Sequence, residues 1–229
     1  MSNLSLLLSV FLFCAACCEA QSAVEITAEP SHHLALENDY IRVFKVDVAP
    51  HATTLVHWHR RDYIYVVIGA ADITNAVEGK PPANIKFQDG QVMFVAGNFA
   101  HKATNNAATP FRNVTIELKK NGTVRNAPEE RGLDIGSGAA IDTVFIKDGI
   151  RVRDITLNPG ATLPSHTHKG PHLVVAVTDL ELESKPANAA TKMLQVKTGD
   201  FQWVPPSRAA HAVQNHGAKP ARFITLEYQ

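Results

Sequence analysis

Apolar and polar residues alternate along several short stretches of this chain. The clearest examples are Ile41–Val48, with the sequence IRVFKVDV, and Ile150–Leu157, with the sequence IRVRDITL. Alternation with a period of two residues is typical of a strand that buries one face. Turn-forming pairs such as Asp89-Gly90 recur at short intervals, and a helical period is hard to find. The pattern predicts an all-β fold, either a sandwich or a barrel.

The second half of the chain repeats the first half. His57 and His166 lie 109 positions apart, and the segments 111–117 and 221–227, which close the two halves, match at an offset of 110. A tandem duplication of this size predicts two domains of roughly 100 residues each. The predicted boundaries are an N-terminal domain at 30–120, a polar and Gly-containing linker at 121–140, and a C-terminal domain at 141–229.

A short apolar segment near the N-terminus contains all three cysteines, Cys14, Cys17 and Cys18. Its hydrophobic run is followed by small residues before Gln21, which is typical of a secretory signal peptide, and we place this peptide at 1–20. The segment is too short to indicate a membrane span, so we expect an exported protein, periplasmic or extracellular, with no span in its mature chain. A second interpretation is a lipoprotein anchored through Cys17.

The rest of the sequence has no cysteine, and its charges balance. The whole chain carries 22 Lys and Arg against 22 Asp and Glu, spread along the sequence without basic or acidic blocks. Neither nucleic acid nor an anionic membrane is therefore an expected partner. Without thiolates, any metal in the folded part must bind imidazole, carboxylate or water.

The repeated residues with the strongest chemical character are histidines. Each half has an H-x-H pair, His57 with His59 and His166 with His168, followed by a later histidine. Residues i and i+2 of a strand point to the same face, so each pair directs two imidazoles into one space. A third histidine from a neighbouring strand completes a set of three nitrogens, which leaves coordination positions on a metal for water, dioxygen or substrate.

Both halves resemble cupin domains, small jelly-roll barrels that are marked by two motifs. Gly160, His166, His168 and His172 follow the first motif, G-x5-H-x-H-x(3,4)-E-x6-G, with His in the place of Glu and Asp179 in the place of the last Gly. The second motif, G-x5-P-x-G-x2-H-x3-N, occurs in both halves with small departures, at Gly90, Ala96, Asn98, His101 and Asn105 and at Gly199, Pro205, His211 and Asn215. The likeness covers nearly the whole chain after the signal peptide and implies a bicupin, an all-β protein of two tandem cupin barrels.

The resemblance also implies two sets of metal ligands. In the C-terminal barrel they fall on His166, His168, His172 and His211, and in the N-terminal barrel on His57, His59, Asp62 and His101. Nitrogen donors suit a divalent transition metal, Fe, Mn, Cu, Ni or Zn. Asp62 follows His59 closely and is shorter than Glu, so that its carboxylate either binds the metal or orients a histidine.

The expected function is that of a metal-dependent oxidoreductase of the dioxygenase kind, or of a lyase or isomerase, acting on a small organic molecule. The alternative is a non-enzymatic extracytoplasmic cupin that binds or stores a metal or metabolite. A homo-oligomer is also expected from the resemblance.

Several other polar residues have open roles. Arg60 and Arg61 either receive a substrate carboxylate or lie in a solvated turn. Glu117 and Glu227 either face inward as a general acid or base or lie on the surface. The histidines outside the motifs, His32, His33, His51 and His216, have no predicted chemistry.

Overall fold

The computed structural model describes residues 22–122, 133–134, 138–187, 189–207 and 209–229. The predicted signal peptide at 1–20, with its cysteines, and most of the predicted linker at 121–140 lie outside the described residues. Within the described part, no helix has the length and apolar character needed to cross a membrane.

The first half of the described chain is built of two five-stranded sheets. One has the strand order β1-β4-β9-β6-β7 and the other β2-β3-β10-β5-β8. A short 3-10 helix, Ile26–Ala28, follows the first strand. The strands are β1 Val24–Glu25, β2 His32–Glu37, β3 Ile41–Val48, β4 His57–His59, β5 Tyr63–Ile68, β6 Ala71–Val77, β7 Ala83–Phe87, β8 Val92–Val95, β9 Phe99–Asn105 and β10 Phe111–Leu118.

The second half repeats this arrangement with a six-stranded and a four-stranded sheet. Their orders are β11-β12-β13-β20-β15-β18 and β14-β19-β16-β17. The all-β prediction is therefore confirmed. The strands are β11 Leu133–Asp134, β12 Ala139–Lys147, β13 Ile150–Leu157, β14 Thr162–His166, β15 His172–Ala176, β16 Leu180–Pro186, β17 Lys192–Val196, β18 Phe201–Val204, β19 His211–Asn215 and β20 Ala221–Tyr228.

Each half has its own apolar core between its two sheets. In the first half Phe44, Val46 and Val48 point inward from β3 and pack with Phe87 and Phe111. The second half has an equivalent cluster, formed by Ile155, Leu157, Leu163, Leu180, Leu182 and Phe223 with their neighbours. Each sheet pair thus encloses a barrel interior lined by alternate residues of its strands.

A third apolar cluster joins the two halves. It combines Ile41, Val43, Ile64, Val66, Val114 and Ile116 of the N-terminal half with Ile150, Val152, Leu173, Val175, Ile224 and Leu226 of the C-terminal half. Strands β5 and β10 are buried on both faces, because their outward-facing residues cover the matching sheet of the second barrel. Strand β3 is buried on both faces only in its first half, since Lys45 and Asp47 are exposed and its second half is half-buried as the alternation predicts.

Polar contacts also cross between the halves. Within the C-terminal half, Arg222 binds the carboxylate of Asp154, with Nη2 2.6 Å from Oδ2. Its Nη1 crosses to the N-terminal half and donates to the backbone carbonyl of Asp89 at 3.0 Å. Gly90 has a φ of 73°, and a Cβ at this position would lie 2.7 Å from the guanidinium carbon of Arg222. The glycine of the Asp89-Gly90 turn therefore serves both the turn and the close approach of the second barrel.

One buried asparagine in each barrel ties three segments of backbone together. Asn105 is 1% exposed, and its Nδ2 donates to the carbonyls of Val48, Ala49 and Thr109 at 3.1, 3.2 and 2.8 Å. Asn215 makes the equivalent contacts with the carbonyls of Leu157 and Lys219, each at 2.9 Å. The closing asparagine of the second motif therefore has a structural function, because it satisfies buried carbonyls at the end of the barrel.

We expect Asn105→Ala to lower the free energy of unfolding by roughly 2–4 kcal/mol, because it leaves several backbone carbonyls without a donor. Asn84→Ala, at an exposed position of β7, is the matched control, and its effect should remain within about 0.5 kcal/mol. Chemical denaturation measures both variants. Equal stability of the two variants would contradict this role of Asn105.

Candidate metal centres

Strand pairing brings the histidines of each half together as the motif spacing predicts. His57 of β4 lies directly opposite His101 of β9, and His166 of β14 lies opposite His211 of β19. His59 is the next residue but one on the same strand face as His57. Each H-x-H segment and its later histidine therefore share one barrel interior.

In the N-terminal barrel the imidazole nitrogens converge. Nε2 of His57 lies 3.2 Å from Nε2 of His59. Nδ1 of His57 donates to the Leu55 carbonyl at 2.8 Å, which fixes its proton on Nδ1 and leaves the Nε2 lone pair facing inward. His101 donates in the same way from Nδ1 to the Asn75 side-chain oxygen at 2.6 Å. Its Nε2 is buried and has no hydrogen-bond partner among the described residues.

His32, to which the sequence assigned no chemistry, belongs to this cluster. One nitrogen each of His32, His57 and His59 lies within 4.8 Å of the others, and all three residues are buried. His32 lies on β2, and its pairing with Val46 places it in the barrel interior. No motif spacing relates it to the H-x-H segment, so only the strand register could have identified it.

Asp62 lies outside this cluster. It precedes β5 at an exposed position, and its Oδ1 accepts a hydrogen bond from the Gly97 backbone at 2.8 Å. The strand position equivalent to His172 is Tyr63, because these residues begin β5 and β15 and pair with Glu117 and Glu227 of the last strands. The role of Asp62 as a ligand stays a prediction, and its observed partner is the loop at Gly97.

The C-terminal barrel holds the second imidazole cluster, His166, His168 and His211. Nε2 of His168 lies 3.1 Å from Nε2 of His211. His166 donates from Nδ1 to the Pro164 carbonyl at 2.7 Å, and Nδ1 of His211 lies 2.9 Å from the Ser184 hydroxyl. As in the first barrel, Nδ1 atoms contact neighbouring polar groups, and Nε2 atoms face one another inside the barrel.

His172 lies beside this cluster. Its ring stacks on His168 with centroids 3.9 Å apart, and its Nδ1 is buried without a hydrogen-bond partner among the described residues. Tyr63 stacks on His59 in the N-terminal barrel in the same way, at 4.2 Å. The structure thus places His172 within contact of the cluster, on its β15 side.

Burial keeps these imidazoles neutral. It lowers the pKa of His57, His168 and His211 to about 4, with the neighbouring imidazoles contributing in the same direction. Burial also lowers the pKa of His101 and His172 to about 3. At pH 7 these residues therefore present nitrogen lone pairs, the form that binds metals.

Both clusters line cavities of similar size. The C-terminal cavity has a volume of about 800 Å³ and is bordered by the histidines, Arg151, Arg153 and Glu227. The N-terminal cavity has a volume of about 760 Å³. His57 and His59 line it, yet they are only 0% and 1% exposed, whereas His166, His168 and His211 are each partly exposed. Solvent therefore reaches the C-terminal cluster more readily.

The arginine and glutamate residues whose roles the sequence leaves open lie in different environments. Arg60 stacks over Trp58 at 3.9 Å and pairs with Glu25 at 2.9 Å, at an exposed position. Glu117 is fully buried, and burial raises its pKa against the opposing effect of Arg42, to which it is hydrogen-bonded at 2.7 Å. Glu227 alone of these borders a histidine cluster, with Oε1 3.5 Å from Nδ1 of His168.

Comparison with known proteins gave matches among solved structures but none among family models or curated sequences. No protein-family model matches the sequence. A search of curated proteins also gave no match.

Several solved structures share the fold. Oxalate decarboxylase of Bacillus subtilis, studied for its Mn(II) centres, matches with a TM-score of 0.60 at 12% identity, covering 87% of this chain and 76% of that one. A structure of oxalate decarboxylase concerned with substrate binding and reaction specificity has a TM-score of 0.61 at 13% identity, with the same coverage. AerE from Microcystis aeruginosa has a TM-score of 0.60 at 12% identity and covers 88% of this chain and 98% of its own.

At these identities the likeness shows the fold alone. The all-β architecture, the two sheet pairs and these structural neighbours together confirm the cupin prediction. The chain has the fold of two cupin barrels in tandem.

Proposed function

We propose that this protein is a metal-dependent enzyme whose active site lies in the C-terminal barrel and acts on a small organic molecule. The observation that carries the proposal is the convergence of His166, His168 and His211 at the edge of a cavity of about 800 Å³. A partly exposed imidazole set beside a cavity can hold a metal and admit a substrate together.

The donor atoms fit a divalent transition metal. His166 has its Nδ1 proton committed to a carbonyl, so its Nε2 offers a lone pair. The Nε2 atoms of His168 and His211 face each other at 3.1 Å, and a bound cation satisfies both when both are unprotonated. Neutral nitrogens suit Fe, Mn, Cu, Ni or Zn, and manganese gains support from the Mn(II) centres of the Bacillus subtilis neighbour. Such a metal supplies Lewis-acid or redox chemistry.

The chain's own residues suggest how a substrate is held. Arg151 and Arg153 border the cavity and give it positive charge, which favours an organic anion such as a carboxylate. Glu227 lies between Arg153, 3.6 Å away, and Nδ1 of His168, 3.5 Å away. In this position its carboxylate can orient His168 or exchange a proton with a bound molecule. Oxidation, C–C bond cleavage and isomerisation are all compatible with this arrangement.

The N-terminal cluster favours structural metal binding over catalysis. His57 and His59 are almost completely buried, which favours structural binding or storage of a metal in this barrel. We assign this barrel a structural metal. A protein in which both barrels only store metal is the alternative function.

We expect untagged wild-type protein to contain two equivalents of transition metal, which elemental analysis measures. His57→Ala/His59→Ala and His166→Ala/His168→Ala should each lose one equivalent, because each pair removes two donors of one cluster. The control is His33→Ala/His51→Ala, two exposed histidines outside the clusters, which should retain both equivalents. Wild-type protein without stoichiometric metal, also after loading with manganese or iron, would overturn the proposal.

The enzyme and storage functions differ in turnover. We expect metal-loaded protein to consume oxygen or release CO2 with a member of a panel of small carboxylic acids. His166→Ala/His168→Ala should abolish this activity, and Glu227→Gln should lower kcat by about 10²–10⁴-fold if the carboxylate transfers a proton. Arg60→Gln, remote from the cavity lining, should leave kcat unchanged. Two bound metals with no turnover of any panel member would favour storage.

We expect the free energy of unfolding of the metal-free protein to fall as the pH decreases from 7 to 5. The unfolded chain gains protons on its histidines near pH 6.5, whereas the buried imidazoles, with pKa values of about 3 to 4, stay neutral. Each such histidine contributes a loss of up to about 1.4 kcal/mol per pH unit below 6.5.

Denaturant unfolding at several pH values measures this slope. His172→Phe removes one buried imidazole and should make the slope shallower, while His33→Ala, at an exposed position, should change it little. A stability that is constant between pH 7 and pH 5 would contradict the lowered pKa values, because it would show that the imidazoles gain protons in the folded protein as they do in the unfolded chain.

A further inference from the structure

A buried histidine and a buried carboxylate form a pair at the edge of the N-terminal imidazole cluster. Nδ1 of His32 lies 2.6 Å from Oε2 of Glu29, and the two residues are 9% and 2% exposed. The ring of His32 lies 4.6 Å from that of His57 and 6.1 Å from that of His59. A polar pair at this depth requires an explanation, because burying charge is costly.

The contacts of Glu29 determine which nitrogen of His32 is free. Oε2 of Glu29 lies 2.6 Å from Nδ1 of His32 and also accepts a hydrogen bond from the Ser31 backbone at 2.8 Å. The Glu29 carboxylate accepts the Nδ1 proton of His32. Nε2 is therefore the nitrogen of His32 that is left to serve the cluster of His32, His57 and His59.

One backbone residue couples this pair to the H-x-H segment. The Leu55 amide donates to Oε1 of Glu29 at 3.3 Å, and the Leu55 carbonyl accepts the Nδ1 proton of His57 at 2.8 Å. Glu29 and Leu55 thus hold His32 and His57 in the same tautomer. A carboxylate or carbonyl that accepts a proton from one ring nitrogen is the usual support for an imidazole that binds metal through the other nitrogen.

The second barrel lacks this pair. At the offset of 109, His32 corresponds to Ile141 and Glu29 to Gly138, and the register is conserved, since His32 pairs with Val46 and Ile141 with Ile155. Ile141 packs against the C-terminal core and lines its cavity, where an imidazole stands in the N-terminal barrel. The C-terminal barrel instead has His172 where the N-terminal barrel has Tyr63. The two barrels therefore draw an additional imidazole from different strands.

We propose that His32 is a metal ligand of the N-terminal barrel, binding through Nε2, and that Glu29 positions it. The metal is a divalent transition ion, and the ligand set combines His32 with His57 and His59, beside His101. The Glu29 carboxylate also reduces the net positive charge of a buried cation surrounded by neutral imidazoles. This inference rests on the proposed function for the presence of a metal in this barrel.

The test uses full-length protein carrying His166→Ala/His168→Ala, which leaves the N-terminal cluster as the remaining described histidine cluster. Zn²⁺ affinity is measured by chelator competition after metal removal. His32→Ile, which copies the residue of the second barrel, should weaken Zn²⁺ binding more than about 100-fold, and Glu29→Gln about 10–100-fold. The matched control is His33→Ala, an exposed neighbour on the same strand, which should bind Zn²⁺ as the background protein does.

A second variant and a second readout separate ligation from packing. His32→Gln retains a donor for Glu29 and should fold, yet it should lose Zn²⁺ affinity as His32→Ile does. In the background protein, Zn²⁺ should shift the ¹⁵N resonance of His32 Nε2 while Nδ1 keeps its proton. This NMR measurement needs no substitution at His32 itself.

The outcomes distinguish the inference from the proposed function. If the background protein binds no Zn²⁺, the N-terminal metal itself is wrong and the role of His32 falls with it. If it binds Zn²⁺ with an affinity that neither substitution at His32 changes, and the His32 Nε2 resonance does not move, the metal stands and His32 is only a packing residue.

Discussion

The packing of one sheet from each barrel against the other is the constraint on which the molecule depends. Strands β3, β5 and β10 face β13, β15 and β20 across one continuous apolar cluster. Residues of these strands that belong to the cluster, such as Val66 and Ile116, are therefore covered by the neighbouring barrel, while the opposite face of each strand lines its own barrel interior. The same strands carry Glu117, Tyr63, Glu227 and His172, so the packing between barrels also fixes the walls of the histidine clusters.

Within each barrel, backbone geometry prepares the imidazoles for a cation. The H-x-H spacing directs two rings inward, and the pairing of His57 with His101 and of His166 with His211 adds a third. Carbonyls of Leu55 and Pro164 accept Nδ1 protons, which leaves Nε2 atoms inside. Burial then keeps the rings neutral by lowering their pKa values, so the donors need no proton release before they bind a metal.

The duplication has preserved this geometry while the surroundings have diverged. His172 in the second barrel is replaced by Tyr63 in the first, and His32 in the first is replaced by Ile141 in the second. The N-terminal cluster is more deeply buried, and the C-terminal cluster is partly exposed beside a cavity bordered by Arg151 and Glu227. These differences are the basis for proposing a structural centre in the N-terminal barrel and a reactive centre in the C-terminal barrel.

The sequence by itself determined the all-β class, the duplication and seven histidines that lie in or beside the two clusters, because strand period and motif spacing are local properties of the chain. It also identified Asn105 and Asn215, although not their hydrogen bonds to buried carbonyls. Tertiary structure decided the rest. His32 joins His57 through the register of β2 on β3, Asp62 turns to the Gly97 amide, and Glu227 rather than Glu117 borders a histidine cluster. These outcomes depend on which strands pair and which faces become buried, and residues far apart in sequence meet only after those choices are made.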